Sequence, residues 1–175
     1  MIVDQVTSKL FLKIAKDKKI SGWINADVQW CEFVFPEDGI PPLEHLRNLK
    51  NLAGVMSVYK YKVFNGARIR YTSVYRSIAH HLRVYKELGI TDPKKIPMGS
   101  FHLKGLACDF TVDGYTRFQV YDLMNVYHFG GVEYPDSQNR THVDNRGHNE
   151  RFQVSTGNAM PKKYDLYQHN KIFHG

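Results

Sequence analysis

The sequence predicts an α+β domain with a small antiparallel sheet and helices packed on one face. Apolar residues recur at three- and four-residue steps in several segments, which is the spacing of amphipathic helices. Short alternating segments of the hairpin type follow late in the chain. The 175 residues are enough for one domain with a hydrophobic core, and there is no internal repeat. We therefore expect a single domain over residues 1–175.

Four segments have helical spacing. In the second, Pro41 and Pro42 stand at the start, where the missing N–H of proline costs little. Its stripe runs from Leu43 through Leu46, Leu49 and Leu52 to Ala53 and Met56. The third segment ends at Gly89, a residue type favoured just beyond a helix. The four predicted helices are residues 4–19, 43–59, 76–88 and 115–128.

Five segments read as short strands. The turns between them are predicted at Asp113-Gly114, at Gly130-Gly131 and at residues 135–137. The predicted strands are residues 68–73, 106–112, 132–134, 141–144 and 151–154.

Several apolar side chains are expected in the core. An aromatic stretch near the N-terminus contributes Trp23, Trp30, Phe33 and Phe35. The fourth helix contributes Phe118, Tyr121, Leu123 and Val126. The two cysteines, Cys31 and Cys108, are too few for a disulfide framework and are expected as buried thiols.

The chain is basic, with a net charge of +7. Such a surface favours polyanionic partners such as nucleic acid, anionic lipid or cell-wall polymers. The charge is spread along the chain and no recognised nucleic-acid motif accompanies it, so we expect no nucleic-acid partner. No apolar stretch approaches the roughly 20 residues of a membrane span, and we expect no membrane segment.

Two imidazoles and a carboxylate stand beside small or apolar residues in two separate segments. His102 and Asp109 belong to Ser-Phe-His-Leu-Lys-Gly-Leu-Ala-Cys-Asp, and His142 belongs to a later Thr-His-Val-Asp. Catalytic zinc usually takes three protein ligands and keeps a fourth position for water. We expect His102 on a loop that turns at Gly105. Asp109 then follows on a strand, and His142 lies on a neighbouring strand.

The other histidines are not assigned to metal. His80 and His81 are expected on a solvated helix face or a groove wall. His128 is expected at a helix C-terminus, where the helix dipole favours it. His148, His169 and His174 stand in polar surroundings.

The pattern Ser-x-His-x-x-Gly-x-Ala-x-Asp, followed by His-x-Asp, resembles the zinc D-alanyl-D-alanine carboxypeptidase family, in its branch of bacterial and phage cell-wall peptidases. The likeness extends upstream to Tyr71-Thr72-Ser73-Val74-Tyr75-Arg76-Ser77, which is similar to the family's Thr-Ser-Gly-Tyr-Arg-Ser. Downstream it takes in Gly130-Gly131-Val132 and Tyr134-Pro135. It covers roughly residues 40–146 and implies the hedgehog/DD-peptidase fold.

By this resemblance His102, Asp109 and His142 bind Zn2+, and Arg76 faces the substrate. A guanidinium near the metal can hold a scissile carbonyl oxygen or a terminal carboxylate. The alternative for Arg76 is a helix N-terminal residue bonded to a nearby loop. Ser100 either supports His102 or caps a turn. The implied activity is cleavage of peptide bonds in peptidoglycan stem peptides, by a DD-carboxypeptidase or an endopeptidase of endolysin type.

The chain departs from the family where many relatives place their water-activating residue. Asn139 and Arg140 occupy the positions three and two before His142. Asp144 is one candidate base, because strand alternation puts it on the face of His142. Asp144 can instead orient His142 through its other ring nitrogen. Glu133 is the second candidate base, and its alternative is a solvated strand residue.

A second class of function stays open, a zinc-stabilised binding or virion structural module without catalysis. The hedgehog signalling domain has the same fold, and its role is binding. Residues 1–5 lack the basic start and apolar run of a signal peptide. We therefore expect synthesis in the cytoplasm without a signal peptide. Action at the cell wall would follow release or assembly into a phage particle, with a phage gene as the possible source and peptidoglycan peptide as the partner.

Overall fold

The computed structural model describes residues 22–134 and 140–152. Within these residues the chain is α+β, with four α-helices and a small mixed sheet of five strands. The helix predicted at residues 4–19, the turn at residues 135–137 and the chain beyond residue 152, with His169 and His174, lie outside the described residues. In the described ranges no helix is long and apolar enough to cross a membrane.

The described residues group into two compact units. The first contains those up to Tyr59 together with Ser73–Ala107, and the second contains Lys60–Thr72 together with those from Cys108 onward. The single domain expected from the sequence stays a prediction.

The first unit is mainly helical. Its short 3-10 turns are Pro36–Asp38, Pro93–Lys95 and Phe101–Lys104. Its α-helices are α1 at Trp30–Phe33, α2 at Leu43–Lys62 and α3 at Ile78–Glu87.

The apolar stripe predicted for α2 is confirmed in its inner part. The buried members are Leu46, Leu49, Leu52, Ala53 and Met56. Each fully buried Leu or Met side chain of this stripe contributes roughly 1.5–3 kcal/mol to folding. Leu43, in the first turn, is exposed instead. The stripe therefore begins one turn later than the sequence indicates.

Helix α3 begins after Ser77 rather than at Arg76. The Ser77 side chain accepts a hydrogen bond from the backbone N–H of His80 and so caps the helix. The helix ends at Glu87 with Leu88 as its C-cap, and Gly89 follows with φ of +79°, as its predicted role requires. Arg76 consequently lies in the segment between β1 and α3.

The second unit holds the sheet and one long helix. The strands are β1 at Ile69–Ser73, β2 at Ala107–Val112, β3 at Gly131–Glu133, β4 at Thr141–Asp144 and β5 at Glu150–Phe152. Their order across the sheet is β1-β2-β4-β3-β5. The five predicted strands are all present; the bounds of β4 agree with the prediction, and those of the other four differ by one or two residues.

The prediction of an antiparallel sheet is wrong, because the sheet is mixed. Strand β4 runs antiparallel to β3, whereas β5 pairs with β3 in parallel. Both edges of β4 are already occupied, by β2 and β3. The chain reverses after β4, so the returning β5 has the direction of β3 and adds to the free side of that strand.

The long helix α4 spans Arg117–Tyr127 and packs against β3 and β4. It begins with a capping box in which Thr116 and Gln119 bond each other's backbone. Its buried residues are Val120, Tyr121 and Met124. The prediction was correct for Tyr121 and wrong for Phe118 and Val126, which are 42% and 50% exposed, while Leu123 is half-buried. The buried face is set by the i, i+1, i+4 positions starting at Val120.

The aromatic stretch before α2 is only partly core. Trp30 and Phe33, three residues apart on the single turn of α1, are buried on one side. Cys31 lies on the other side and is exposed, contrary to expectation. Trp23 is 59% exposed, since it precedes α1 in a bridge with Gln29. Cys108 is buried as predicted, and burial raises the pKa of its thiol well above the ordinary value.

Candidate metal centre

His102 is presented by the 3-10 turn Phe101–Lys104 and is buried. Its Nδ1–H donates a hydrogen bond to the carbonyl oxygen of Val74 at 2.7 Å. This bond fixes the tautomer, because a carbonyl can only accept, and it leaves Nε2 with a lone pair. A histidine that binds a metal through one ring nitrogen is usually oriented in this way, by a hydrogen bond that its other ring N–H donates.

The turn predicted at Gly105 is confirmed. Gly105 has φ of +67°, in the left-handed region. A Cβ atom there would stand 2.9 Å from the backbone oxygen of His45 and 2.9 Å from Cγ of Leu49. Only glycine fits, and the chain passes through it from His102 directly into β2, which carries Asp109.

Asp109 lies on β2 and is 2% exposed. Its Oδ1 is 2.8 Å from Nδ1 of His142, on the adjacent strand β4. The same oxygen accepts a hydrogen bond from Nη1 of Arg140 at 2.8 Å. The guanidinium of Arg140 and the imidazole of His142 therefore both contact one carboxylate oxygen of Asp109.

The three predicted ligands come together. His102, Asp109 and His142 each offer one ligand atom, and these atoms all lie within 4.8 Å of one another. His102 and Asp109 are buried and His142 is half-buried. Two imidazoles and one carboxylate match the donor set of a catalytic zinc site. The cluster can hold a metal ion, and the identity of that ion belongs to the proposal below.

His142 is held by two carboxylates. In addition to the contact with Asp109, its Nε2 lies 3.2 Å from Oδ2 of Asp144. Burial lowers the pKa of His142, but the hydrogen bonds to Asp109 and Asp144 outweigh that effect and raise it to about 9. Without a metal the ring is therefore an imidazolium at neutral pH. A metal ion binding through Nδ1 must replace one proton.

Asp144 is fully buried and is held from two sides. Arg146 donates to its two oxygens, from Nε at 2.7 Å and from Nη2 at 2.6 Å. Burial by itself raises the pKa of Asp144, but the bonds from Arg146 and His142 hold the pKa well below its usual range. The pair of Asp144 and Arg146 requires glycine at position 131, because a Cβ atom there would lie 2.5 Å from Oδ2 of Asp144. These contacts favour the orienting role of Asp144 over the role of base.

Glu133, the last residue of β3, is buried, so its reading as a solvated strand residue is wrong. The strand register pairs Val132 with Val143. The next pair is then Glu133 with His142, and paired residues point to the same face of the sheet. The Glu133 carboxylate lies 3.4 Å from Nη1 of Arg140, the guanidinium that also bonds Asp109.

Arg76 is joined to the loop that carries His102. Its backbone N–H donates to the carbonyl oxygen of His102 at 3.2 Å, and its Nε donates to Oγ of Ser73 at 2.7 Å. The residue is half-buried. These bonds fit the reading of Arg76 as a residue tied to a nearby loop, although it stands before α3 rather than in it. Contact of Arg76 with a substrate stays a prediction.

The expectation that the histidines of α3 lie on a solvated face is wrong, while the alternative of a groove wall stays a prediction. His80 and His81 are both buried, and burial lowers the pKa of His81. His128 stands at the end of α4 as expected, where its Nε2–H donates to the carbonyl oxygen of Asp144 at 3.0 Å. Burial lowers the pKa of His128. Ser100 precedes the turn that carries His102, and its side chain makes no cap hydrogen bond there.

Sequence reasoning missed three contributors to the cluster, namely the Val74 carbonyl, Arg140 and Arg146. The two arginines had a signal in the sequence. Alternation in a strand places every second residue on one face, and Arg140, His142, Asp144 and Arg146 are spaced in that way. The Val74 carbonyl had no signal, because any residue supplies one.

Comparisons of the chain with protein-family models, with curated proteins and with solved structures found no match.

Proposed function

We propose that the protein is a zinc-dependent metallopeptidase of the hedgehog/DD-peptidase fold that cleaves peptide bonds in peptidoglycan stem peptides. The observation that carries the proposal is the meeting of His102, Asp109 and His142 from separated stretches of the chain. The motif resemblance names the same three residues. Within the described residues this set is the group of His, Cys, Asp and Glu side chains that suits a metal ion.

The residues present fit zinc by their chemistry. The lone pair on Nε2 of His102 is directed by the Val74 carbonyl, and Oδ1 of Asp109 contacts both Nη1 of Arg140 and Nδ1 of His142. When bound, zinc supplies Lewis acidity and a water molecule whose pKa is lowered toward about 7. Asp144 and Arg146 hold the His142 ring in place for this site.

Glu133 is the better candidate for moving the proton from water to the leaving amine. Both oxygens of Asp144 already accept strong hydrogen bonds from Arg146, so protonating this carboxylate would cost those bonds. Glu133 projects on the face of His142, and its carboxylate lies 3.4 Å from Nη1 of Arg140. A general base of this kind typically contributes 10²–10⁴-fold to the rate.

Arg76 is proposed to stabilise the oxyanion that forms at the scissile carbonyl. Its main chain is fixed to the His102 carbonyl, so the side chain starts beside the cluster. A guanidinium can hold a developing negative charge through charge-assisted hydrogen bonds.

The decisive experiment combines metal analysis with digestion of purified peptidoglycan. We expect about one zinc per chain, release of muropeptides identified by mass spectrometry, and loss of that release with a chelator and its return with added zinc. His102→Ala should lose both metal and release. Peptidoglycan left intact by a zinc-loaded, folded protein would contradict the proposal, and the new termini of released products would distinguish carboxypeptidase from endopeptidase action.

The alternative is a zinc-stabilised binding or structural module. It is favoured by the full engagement of Asp144 and by Arg140 at the position where many relatives have a catalytic side chain. It predicts bound zinc, co-sedimentation with peptidoglycan or with virions, and no change in the muropeptide profile.

A further inference from the structure

Two arginines, Arg146 and Arg151, attach strand β5 to the rest of the second unit, and each is connected to Asp144. Asp144 is the buried carboxylate whose Oδ2 lies 3.2 Å from Nε2 of His142. In the sheet β5 is separated from β4, the strand of Asp144 and His142, by β3. Neither arginine can itself bind a metal ion, because a guanidinium carries no acceptor lone pair.

The first attachment is made by side chains. Arg146 donates to both oxygens of Asp144 and, through Nη1, to a carboxylate oxygen of Glu150, the first residue of β5. The terminal torsion of an aspartate has a broad energy well, so a buried aspartate takes the orientation that its partners impose. Two parallel bonds from a planar guanidinium impose one plane. Arg146 therefore fixes the plane of the carboxylate that contacts His142.

The second attachment is made by main-chain carbonyls at the end of α4. The carbonyl oxygens that Arg151 bonds are those of Asn125 and Gly130, both at 2.8 Å, and of His128 at 3.2 Å. The last carbonyls of a helix have no partner within the helix, and a cationic side chain can satisfy them. Arg151 thereby fixes the position of His128, whose Nε2–H donates to the carbonyl oxygen of Asp144 at 3.0 Å.

The two consecutive glycines at the start of β3 leave room for both attachments. A Cβ atom at Gly131 would lie 2.5 Å from Nε of Arg146. A Cβ atom at Gly130 would lie 2.6 Å from Nε2 of His128 and would overlap the carbonyl oxygen of Asp144. Any other residue at these two positions would therefore displace a member of one attachment.

We propose that Arg146 and Arg151 are positioning residues of the metal centre. Through Asp144 they hold the His142 ring in the orientation in which its Nδ1 faces the site beside Asp109. The proposal rests on the proposed function for the metal ion, and it does not depend on the peptide substrate. It implies that docking of β5 and binding of the metal favour each other, because coupling between two sites acts equally in both directions.

Substitutions of Arg146 separate this role from a purely electrostatic one. Removing the positive charge of Arg146 would by itself strengthen the binding of a cation nearby. Loss of the imposed orientation of Asp144 weakens metal binding, typically by about 10–100-fold. We expect Arg146→Gln to bind zinc about 10-fold more weakly or worse. Arg146→Lys keeps the charge without the two-point bond and should be weakened as well.

Arg151→Gln is the second variant, because the described contacts of Arg151 include neither a metal ligand nor Asp144. Zinc affinity is measured by competition with a chromophoric chelator, and Co2+ in place of zinc gives visible absorption bands that report ligand geometry. We expect Arg151→Gln to weaken zinc binding about 5-fold, the lower end of usual coupling between sites, and to shift the cobalt bands. In the wild type, zinc should slow hydrogen exchange of the Glu150 amide, which donates to the carbonyl oxygen of Gly130.

Arg70→Gln is the matched control in the same unit. Arg70 also makes a two-point ion pair with an aspartate, Asp113, at 2.6 and 2.8 Å, and that pair is exposed. Its loss removes the same charge and should leave zinc affinity, the cobalt bands and β5 exchange unchanged. Equal weakening by Arg70→Gln would overturn the proposal. So would zinc affinity at the wild-type level in both Arg146→Lys and Arg151→Gln.

A measurement without metal separates failure of this proposal from failure of the proposed function. In chelator-treated wild-type protein, the proton on Nε2 of His142 should give a slowly exchanging NMR signal, because Asp144 accepts it. Arg151→Gln should broaden that signal while the backbone amide spectrum stays that of a folded protein. This result in a protein that takes up no zinc would uphold the positioning of His142 and refute the metallopeptidase. A protein that cleaves peptidoglycan with zinc, and whose variants keep both affinity and signal, would refute the positioning alone.

Discussion

Each of the two units contains a histidine paired with a buried aspartate, and the two pairs differ in their surroundings. In the first unit Nδ1 of His80 lies 3.0 Å from Asp38, and Asp38 also accepts the backbone N–H of Ser77 at 2.6 Å. In the second unit His142 stands between Asp109 and Asp144. The first pair joins the turn Pro36–Asp38 to the start of α3, whereas the second adjoins another imidazole.

The difference teaches that a His–Asp contact is not by itself a functional signal. Asp38 bonds the backbone N–H of Ser77 and the ring of His80 at the start of α3. This arrangement needs no further group. Asp109 instead collects His142 and Arg140 on one oxygen while Nε2 of His102 is held ready by the Val74 carbonyl. Around Asp109, several donor and acceptor atoms are directed at one point. This property favours a metal ion there.

The comparison is tested most sharply by making the same substitution at Asp109 and at Asp38. Asp109→Asn should reduce bound zinc to below about a tenth of an equivalent after dialysis and peptidase activity by about 10³-fold or more, because the anionic ligand is lost. Asp38→Asn should keep both. Metal is measured by elemental analysis and activity by muropeptide release. Zinc loss in the Asp38 variant alone would reverse the roles of the two pairs.

The next largest effect is expected from the carboxylates around the cluster. Glu133→Gln should keep zinc and lower kcat by about 10²–10⁴-fold, as the removal of a general base does. Asp144→Asn should act first on the metal, weakening zinc affinity by about 10–100-fold, as loss of a group that orients a ligand does. If Asp144→Asn keeps its zinc affinity and loses turnover while Glu133→Gln stays active, the base is Asp144.

Much of the metal cluster could be predicted from sequence, because the path from His102 through Gly105 to Asp109 is local and because the motif resemblance adds His142, which is 33 residues from Asp109. The turn at Gly105 and the strand positions of Asp109 and His142 follow from glycine conformation and from strand order along the chain. The buried stripe of α2 follows in the same way from a repeating pattern. Local rules of this kind act within a few residues, where sequence spacing reports spatial distance.

The misses arise where tertiary contacts decide. His80 and His81 look solvated in a polar helix, yet Asp38, distant in sequence, draws His80 into a buried pair. The parallel pairing of β5 depends on which sheet edge is free once β4 is enclosed. The roles of Asp144 and Glu133 depend on Arg146 and Arg140, whose contacts are visible only when the strands are assembled.

A pH titration sharpens the contrast for the metal-free protein. The pKa of His142 is raised from about 6.5 to about 9 in the folded state. The stabilisation that protonated His142 gives to the folded state is therefore fully present below pH 6.5 and is lost as pH rises through 9. We expect the free energy of unfolding to fall by at most about 3 kcal/mol over this range, as measured by urea denaturation with chelator present. His142→Gln should lack this slope, and an unchanged slope in that variant would assign it to other groups.

The smallest expected effect concerns the pair of His80 and Asp38 in the first unit. His80→Ala should lower the free energy of unfolding by about 1–2 kcal/mol, because Asp38 is buried and would keep only the Ser77 N–H among the partners described here. Arg83→Gln, which breaks the exposed ion pair of Arg83 with Glu37 nearby, should cost less than about 1 kcal/mol. Chemical denaturation of the zinc-loaded proteins measures both. Zinc content should stay at the wild-type level in each, since neither residue belongs to the proposed ligand set. A His80 variant that loses zinc without losing stability would mean that the first unit's pair, too, serves the metal.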